Sequence, residues 1–514
     1  MKRTYVNGTI WTGVQSGGRI GVSHALTEAA GRVVALGERA LAAPADDVVD
    51  LEGGFLMPGF GDGHAHPMKA GLATLFAPIA RETSVTGIAQ AVGRWAAAHP
   101  DELWIRGEGY DPSLAPGGTF DRAWLDAVVA DRPVVLRASD YHTVWVNSRA
   151  LEIAGIDADT PDPPRGVIER EPMGTLREWG AWGLVEAHLP ALTTAQRRVV
   201  AARALEYLAA QGITFVQDAW VEPDDVATWE VATGNVRANL ALLAEPERWR
   251  TQLPWCADVK ASGGDRWTAD SIKFFADGVL ESGTAHVLEP YCGCGGHGLP
   301  NWSPDELAAA VTAVVGLGFQ PHVHAIGDGG VRSALDACTA AARVHGHAGR
   351  PVIAHCQLVD PADLPRFAEL GVTANFQPLW AQLDADQELL TQPRLGPERS
   401  TRQYQIASVL RSGANVSFGS DWPVTSGSPL AGIAVAVTRQ SADGKPDGGW
   451  LPQERVSVEE ALSAYTAGVA AQVGATDWGT LAPGNRAEFA WLAADPRMVE
   501  PLEIADIEIK ALPQ

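Results

Sequence analysis

From Gly212 onward, short apolar runs alternate with longer amphipathic stretches. Seven of the runs are predicted as β-strands, at residues 213–218, 239–243, 271–275, 321–325, 352–356, 372–376 and 416–421. Most of them carry a polar or ionisable residue at or near the carboxyl end. The stretches between them are predicted as helices; one begins at Ser303-Pro304-Asp305-Glu306, with a capping serine, an early proline and acids in the first turn. Repeated strand–helix units predict a parallel sheet.

An eighth strand is predicted ahead of this series. The apolar run at residues 55–58 leads into Gly59-Phe60-Gly61-Asp62-Gly63-His64-Ala65-His66. Eight such strands close a (β/α)8 TIM barrel. Residues 67–211 are far longer than a crossover needs, so we predict an insertion that includes the first barrel helix and covers the barrel mouth.

The two chain ends carry shorter β-like runs with turn signals. Because short strands cannot bury a face alone, we expect both ends to pair in one small, sandwich-like β-domain. The predicted organisation is a composite β-domain (1–53 plus 478–514), a barrel (54–66 plus 212–477) and an insertion (67–211).

Composition narrows the class of protein. The chain has 514 residues, 46% of them apolar, and a net charge of −23, which opposes binding to nucleic acid or an anionic membrane. With no apolar segment long enough to span a bilayer and an odd number of cysteines, five, we expect a cytoplasmic protein with a small-molecule substrate. Cys292-Gly293-Cys294 with His297 lacks a fourth ligand at a standard spacing and is predicted as an ordinary loop.

Candidate chemistry stands where the predicted strands end, which is where such barrels place their active sites. His64 and His66 are two residues apart, so they point to one side of an extended segment. Other ionisable residues stand at the ends of strands four, five, six and eight: Lys273, His324 with His322 two residues before it, His355 and Asp421. Each residue alone has a structural explanation, as a surface lysine, a core histidine or a turn cap. Their convergence favours a metal site.

Five motifs carry a resemblance to a known family: LMPGFGDGHAH (56–66), IKFFADG (272–278), HAIGD (324–328), AHCQ (354–357) and FGSDWP (418–423). With the β segments at both ends, the chain resembles the amidohydrolase superfamily, in the branch that includes N-substituted formamide deformylases.

The resemblance implies one or two divalent metal ions, zinc first and then manganese or iron. It assigns His64, His66 and Asp421 to one metal, and His324 and His355 to a second. Lys273 would bridge both as its carbamate, since a carboxylated lysine offers two anionic oxygens where an ammonium offers none. Asp421 would also serve as general base and acid.

Other candidates lie around this set. His322 faces the same side as His324 but deeper in the barrel, which indicates a supporting role. The stretches around His142 and Glu178 resemble segments that shape the substrate cleft, where His142 would donate a hydrogen bond to the substrate carbonyl; a purely structural role for either stays open. Trp422 is expected near the mouth, as substrate lining or as packing.

The function expected from these motifs is metal-dependent hydrolysis of a C–N bond outside peptides, in an amide, formamide or cyclic amide. A deaminase or a lactone or ester hydrolase on the same scaffold is the alternative, and a non-catalytic scaffold protein ranks last because no ligand is missing. A homodimer is common for such barrels, but the sequence identifies no interface.

Overall fold

The computed structural model describes residues 1–16, 19–42, 44–293 and 295–512. Its central sheet contains eight parallel strands that neighbour one another in chain order. We label them β1 Phe60–Ala65, β2 Ile213–Val221, β3 Arg237–Leu243, β4 Trp267–Phe275, β5 Gln320–Ala325, β6 Val352–His355, β7 Thr373–Phe376 and β8 Val416–Phe418. The end of β8 returns to β1, where Asp421 N donates to His64 O (2.7 Å). The predicted (β/α)8 barrel is confirmed.

Helices surround the barrel. Pro67–Ala73 follows β1 and Thr194–Ala210 precedes β2. The helices after the later strands are Pro223–Val231, Trp249–Ser262, Pro304–Gly316, Asp328–His345, Leu364–Leu370, Gln392–Ser400, Ile406–Arg411, Pro429–Thr438, Val458–Ala464 and Ala467–Gln472. The helix Pro304–Gly316 begins as predicted, because Ser303 Oγ accepts a hydrogen bond from Glu306 N. Among the described residues, none of the helices combines the length and the apolarity that crossing a bilayer demands.

The first barrel strand lies one step later than its apolar run suggested. Phe55–Pro58 is a separate strand that pairs with the chain ends, whereas the glycine-containing segment Phe60–Ala65 enters the barrel. The glycines are required by close packing: a Cβ at Gly63 would stand 2.5 Å from Asn375 Nδ2, and one at Gly61 would stand 3.0 Å from the Val469 side chain.

A buried polar layer crosses the barrel interior. Asn239 Nδ2 donates to Gln217 Oε1 (2.8 Å) and to Ser271 Oγ (2.8 Å), and Ser271 Oγ donates to Gln320 Oε1 (2.9 Å). These bonds tie β2, β3, β4 and β5 together at one level. Since strand side chains alternate, the residue two positions after Ser271 on β4 stands on the same face one step higher. That residue is Lys273.

The insertion folds around its own five-stranded sheet. Its strands are, in sheet order, Val167–Arg170, Met173–Arg177, Thr143–Val146, Val134–Ala138 and Ile105–Tyr110. Its helices are Val85–Ala98, Arg122–Asp126, Ser148–Ala154 and Glu178–Glu186. A separate cluster of buried side chains, including Ile88, Phe120 and Trp145, packs beneath this sheet. The insertion therefore has a core that can hold its loops over the barrel.

The chain ends form two further sheets, one from the N-terminal segment alone and one that combines strands of both ends. One contains Arg32–Leu36, Leu26–Ala29, Lys2–Val6 and Asp47–Asp50, and the other contains Ile509–Lys510, Phe489–Leu492, Phe55–Pro58, Thr9–Ser16 and Arg19–Ser23. Tyr5, Leu26, Leu56 and Phe489, drawn from both sheets, share one buried cluster. The expected sandwich-like pairing of the two ends is present.

Candidate metal centre

Two histidines and an aspartate converge at the carboxyl ends of β1 and β8. His66 Nε2 lies 2.8 Å from Asp421 Oδ1, and His64 Nε2 lies 3.4 Å from the same oxygen. One ligand atom from each of the three residues lies within 4.8 Å of the others, and all three residues are buried. Two imidazole nitrogens and a carboxylate oxygen form a donor set that suits zinc and other divalent transition metals, so these residues fit a divalent cation.

The protonation states of these residues also suit the binding of a divalent cation. Burial, followed by the charge of Lys273, holds the pKa of His64 well below its usual value, which leaves the neutral imidazole that metals require. Burial would raise the pKa of Asp421, but the charge and hydrogen bond of His66 outweigh it and lower that pKa. Asp421 therefore stays an anion.

Lys273 and His322 stand against His64. Lys273 Nζ lies 3.4 Å from His64 Nε2, and burial lowers the pKa of this lysine, which is 0% exposed, to about 7. On the other side of the ring, His322 Nε2 lies 2.9 Å from His64 Nδ1. His322 thus contacts the back of His64, where it can fix the orientation and tautomer of the ring.

His324 and His355 form the rest of the arrangement, with ring centroids 4.6 Å apart. His324 Nε2 donates to Gly278 O (3.0 Å), and His355 Nδ1 donates to Gln377 Oε1 (2.8 Å). One nitrogen of each ring is therefore occupied, and the other keeps its lone pair for a ligand. The group of six residues, called the floor cluster below, is His64, His66, Lys273, His324, His355 and Asp421.

Asp62, which was not among the residues predicted to form the site, connects β1 to the turn after β8 that carries Asp421. Its Oδ1 accepts from His64 N (3.1 Å) and Ser420 N (3.0 Å), and its Oδ2 accepts from Ser420 Oγ (2.5 Å). Asp421 itself has φ 56°, a left-handed conformation that few residues other than glycine adopt. Asp62 supports this strained turn, and its place between two glycines of the first motif was the available signal.

The insertion contributes His142, which Glu178 holds in place. His142 Nδ1 donates to Glu178 Oε2 (2.9 Å), and Thr284 Oγ1 donates to Glu178 Oε1 (2.5 Å). Burial would lower the pKa of His142, but the charge and hydrogen bond of Glu178 outweigh it and raise that pKa to about 9. The His142 ring lies 5.3 Å from that of His324, so this hydrogen-bond donor stands beside the floor cluster.

One cavity opens above the floor cluster. Tyr141, Trp220, Phe275, Trp380 and Tyr404 give it aromatic sides. Besides Asp421 of the floor cluster, four carboxylates line it, and we call them the acid wall: Asp140, Glu281, Asp384 and Asp386. Trp422, expected near the mouth as substrate lining or as packing, stacks on Tyr207 of the helix Thr194–Ala210, with ring centroids 4.2 Å apart. Glu178 lies behind His142 and not on the cavity surface.

The loop after β4 contains Cys292, Cys294 and His297, and it was predicted to be an ordinary loop and not a metal site. Cys294 lies outside the described residues. His297 Nδ1 lies 3.0 Å from Val287 O, and Cys292 is an exposed free thiol. The described part of the chain contains one group of three or more residues placed to hold a metal: His64, His66 and Asp421.

A parallel eight-stranded barrel with imidazoles, a lysine and a carboxylate at its carboxyl end defines a metal-dependent hydrolase. The sequence model of the amidohydrolase family matches residues 47–512. The chain therefore belongs to the amidohydrolase family.

Individual relatives align with this chain over most of its length. Protein LONG AFTER FAR-RED 3 of Arabidopsis thaliana is 30% identical over 472 residues, which cover 87% of this chain and 79% of that protein. An N-substituted formamide deformylase of Arthrobacter pascens is 26% identical, covering 96% of this chain and 92% of its own. The crystal structure of an uncharacterized metal-dependent hydrolase from Pyrococcus horikoshii OT3 superposes with a TM-score of 0.77 at 25% identity, covering 98% and 99% of the two chains.

Proposed function

We propose that this hydrolase cleaves a C–N bond outside peptides, in an amide, formamide or cyclic amide, with a divalent cation held by the floor cluster. The observation that carries the proposal is the position of Asp421, whose Oδ1 lies 2.8 Å from His66 Nε2 at the base of a cavity with aromatic sides. The formamide deformylase relative supports the amide class.

His64, His66 and Asp421 would hold the cation. His324 and His355 would hold a second one, with Lys273 between them as a carbamate. A divalent cation bound there supplies Lewis acidity, which makes water nucleophilic near neutral pH and polarises a carbonyl. Zinc suits this mixture of imidazole and carboxylate donors, and manganese or iron also accept it.

Residues of the chain itself transfer the protons and stabilise the developing charge. Asp421 takes a proton from the attacking water and delivers it to the departing nitrogen, so one carboxylate serves as base and then as acid. His142 donates a hydrogen bond to the carbonyl oxygen, where negative charge develops as the water adds. Its Nδ1 is occupied by Glu178, so Nε2 is the nitrogen available for this bond.

Several groups keep these residues in position. His322 fixes the His64 ring from behind, and Asp62 holds the turn that carries Asp421. Gln377 holds His355 and is itself oriented by Nε2 donating to Asn375 Oδ1 (2.8 Å). Such supporting bonds reduce the reorganisation that the reaction requires.

Metal analysis combined with a substrate panel tests the proposal. Purified enzyme should contain one or two divalent ions and should hydrolyse at least one class among formanilides, N-acyl aromatic amines and hydantoins. Chelation should abolish turnover, and zinc, manganese or iron should restore it. In Asp421→Asn, kcat should fall about 10²- to 10⁴-fold, the usual contribution of a general base. Full turnover after chelation, or in a metal-loaded Asp421→Asn enzyme, would overturn it; turnover of lactones alone would replace the amide class with esters.

A further inference from the structure

The acid wall concentrates negative charge on one cavity surface. Its carboxylates come from three separate segments: the insertion (Asp140), the loop after β4 (Glu281) and the segment after β7 (Asp384 and Asp386). None of the four forms an ion pair with any residue that the structure describes. Of the described residues that line the cavity, only Lys273 and the histidines can carry positive charge. A cavity lined by charges of one sign raises the local concentration of ions of the opposite sign.

Two of the four carboxylates have ordinary structural roles. Asp140 Oδ1 accepts from His142 N (2.9 Å) and Thr143 N (3.0 Å), and Asp384 Oδ1 accepts from Gln387 N (2.9 Å). Glu281 and Asp386 differ, because no other described residue donates a hydrogen bond to either carboxylate. These two acids are therefore the ones open to a ligand.

The electrostatic setting of this pair is unfavourable in the free protein. Burial first, and then the repulsion of neighbouring acids, raise the pKa of Glu281 to about 7 and that of Asp386 to about 8. A cation placed between them would relieve both effects.

Buried acceptors beside the acid wall provide an independent observation. Gln387 and Thr391 are only 4% and 1% exposed, and both line the same cavity. Gln387 Oε1 and Thr391 Oγ1 have no hydrogen-bond partner among the described residues. Gln387 Nε2 lies 3.5 Å from Tyr404 OH, which leaves its oxygen as the free end of the amide. Buried polar oxygens normally have hydrogen-bond partners, and both of these can accept a hydrogen bond, so they suit a ligand with N–H groups.

Aromatic rings complete this part of the cavity. Tyr404 and Trp380 line it together with Gln387. Aromatic faces attract ammonium and guanidinium groups but offer little to a hydrated divalent metal. Carboxylates, neutral acceptors and aromatic faces thus favour an organic cation.

We propose that the acid wall binds an ammonium or guanidinium group of the substrate, so that the enzyme prefers amides carrying a positive charge at the end away from the scissile bond. This inference rests on the proposed hydrolysis of amides. It assigns the floor cluster to the reaction and the acid wall to substrate selection.

A series of N-formyl and N-acetyl alkylamines tests the preference. The far end carries an ammonium, a hydroxyl or a methyl group, at several chain lengths, and kcat/KM is measured for each with metal-loaded enzyme. We expect kcat/KM of the best ammonium substrate to exceed kcat/KM of the methyl-ended substrate of the same length by about tenfold or more, as for charge pairs that desolvate on binding. The double variant Glu281→Gln, Asp386→Asn should bring this ratio close to one. The matched control Glu388→Gln, an exposed acid outside the cavity, should leave the ratio as in the wild type.

Binding without turnover separates the two proposals. Calorimetry with hexylammonium, and hexanol as its neutral match, should show binding of the cation only, and the double variant should lose it. Amide hydrolysis with equal kcat/KM for all three end groups would overturn the acid-wall proposal and leave the hydrolase standing. If the enzyme binds the cation through Glu281 and Asp386 but cleaves no amide, the acid wall stands as a cation site and the proposed amide hydrolysis is overturned. Mg²⁺ displacing hexylammonium at the acid wall would also overturn the acid-wall proposal.

Discussion

The floor cluster and the acid wall share one cavity but are built differently. The floor residues lie at the ends of five parallel strands, where the barrel's hydrogen bonds fix the backbone and every side chain is buried. The acid wall comes from connecting segments, and Asp384 is exposed. Barrel strands thus fix the chemistry, while loops that can change without disturbing the barrel set the selectivity.

His142 stands between these two cases. It belongs to the insertion, as Asp140 does, yet it is buried and anchored to Glu178, which Thr284 holds from the loop after β4. Three segments distant in the chain therefore fix one imidazole. A loop residue becomes as well placed as a strand residue when a bonded network replaces the sheet.

The largest expected effect lies in the floor cluster. Lys273→Ala should lower kcat about 10³-fold or more for every substrate, because under the proposed role it would remove a bridging ligand and with it several kcal/mol of transition-state stabilisation. Turnover and metal content are measured together, with Lys260→Ala, a surface lysine paired with Asp270, as the matched control. Short carboxylic acids should restore part of both readouts if a carbamate is the bridge. A selective loss confined to ammonium substrates would contradict the division between floor and wall.

Much of the barrel could be predicted from the sequence because its signal is local. Each of the seven runs predicted after Gly212 overlaps a barrel strand, since buried parallel strands produce short apolar runs with helical stretches between them. The first barrel strand lies after the apolar run and not within it, because two short strands separated by Gly59 follow each other here. The barrel strand has glycines at 61 and 63, which close packing requires, and so it lacks an apolar run.

The floor cluster could be anticipated because strand ends meet by topology. A supporting role was predicted for His322, but its partner was not. The pairs His322–His64, Gln377–His355 and Asp62–Ser420 depend on side-chain directions across strands. The acid wall was also missed. Its acids are far apart in the chain and stand in segments without periodicity, so no spacing rule connects them.

An intermediate effect is expected for His142. His142→Phe, which keeps a ring but has no N–H group, should lower kcat about 10²- to 10³-fold for every amide, the usual loss when one donor to a developing oxyanion is removed. KM should change little, because the bond strengthens only as charge develops. Glu178→Gln, which keeps the shape but not the charge of the partner, should lower kcat less than His142→Phe does. An effect on KM alone would place His142 with the acid wall as a residue of substrate binding.

The smallest expected effect, and the sharpest test of the comparison, is a pH dependence confined to the ammonium preference. Burial raises the pKa of Glu281 to about 7 and that of Asp386 to about 8, so both lose their charge as the pH falls through these values. Asp140, Asp384 and the imidazole of His142 face Glu281. Asp386 is faced by Glu281, by the same two aspartates and by Asp111.

The ratio of kcat/KM for ammonium and methyl substrates should therefore rise several-fold from about pH 6 to pH 9, while an alkylammonium with a pKa near 10.4 stays charged. Ionisation of floor-cluster residues changes kcat/KM of both substrates by the same factor, so it cancels in the ratio. In Glu281→Gln, Asp386→Asn the ratio should be flat across this range. A wild-type ratio that stays constant or falls with rising pH would show that the two acids do not select the substrate, since only their ionised forms attract a cation.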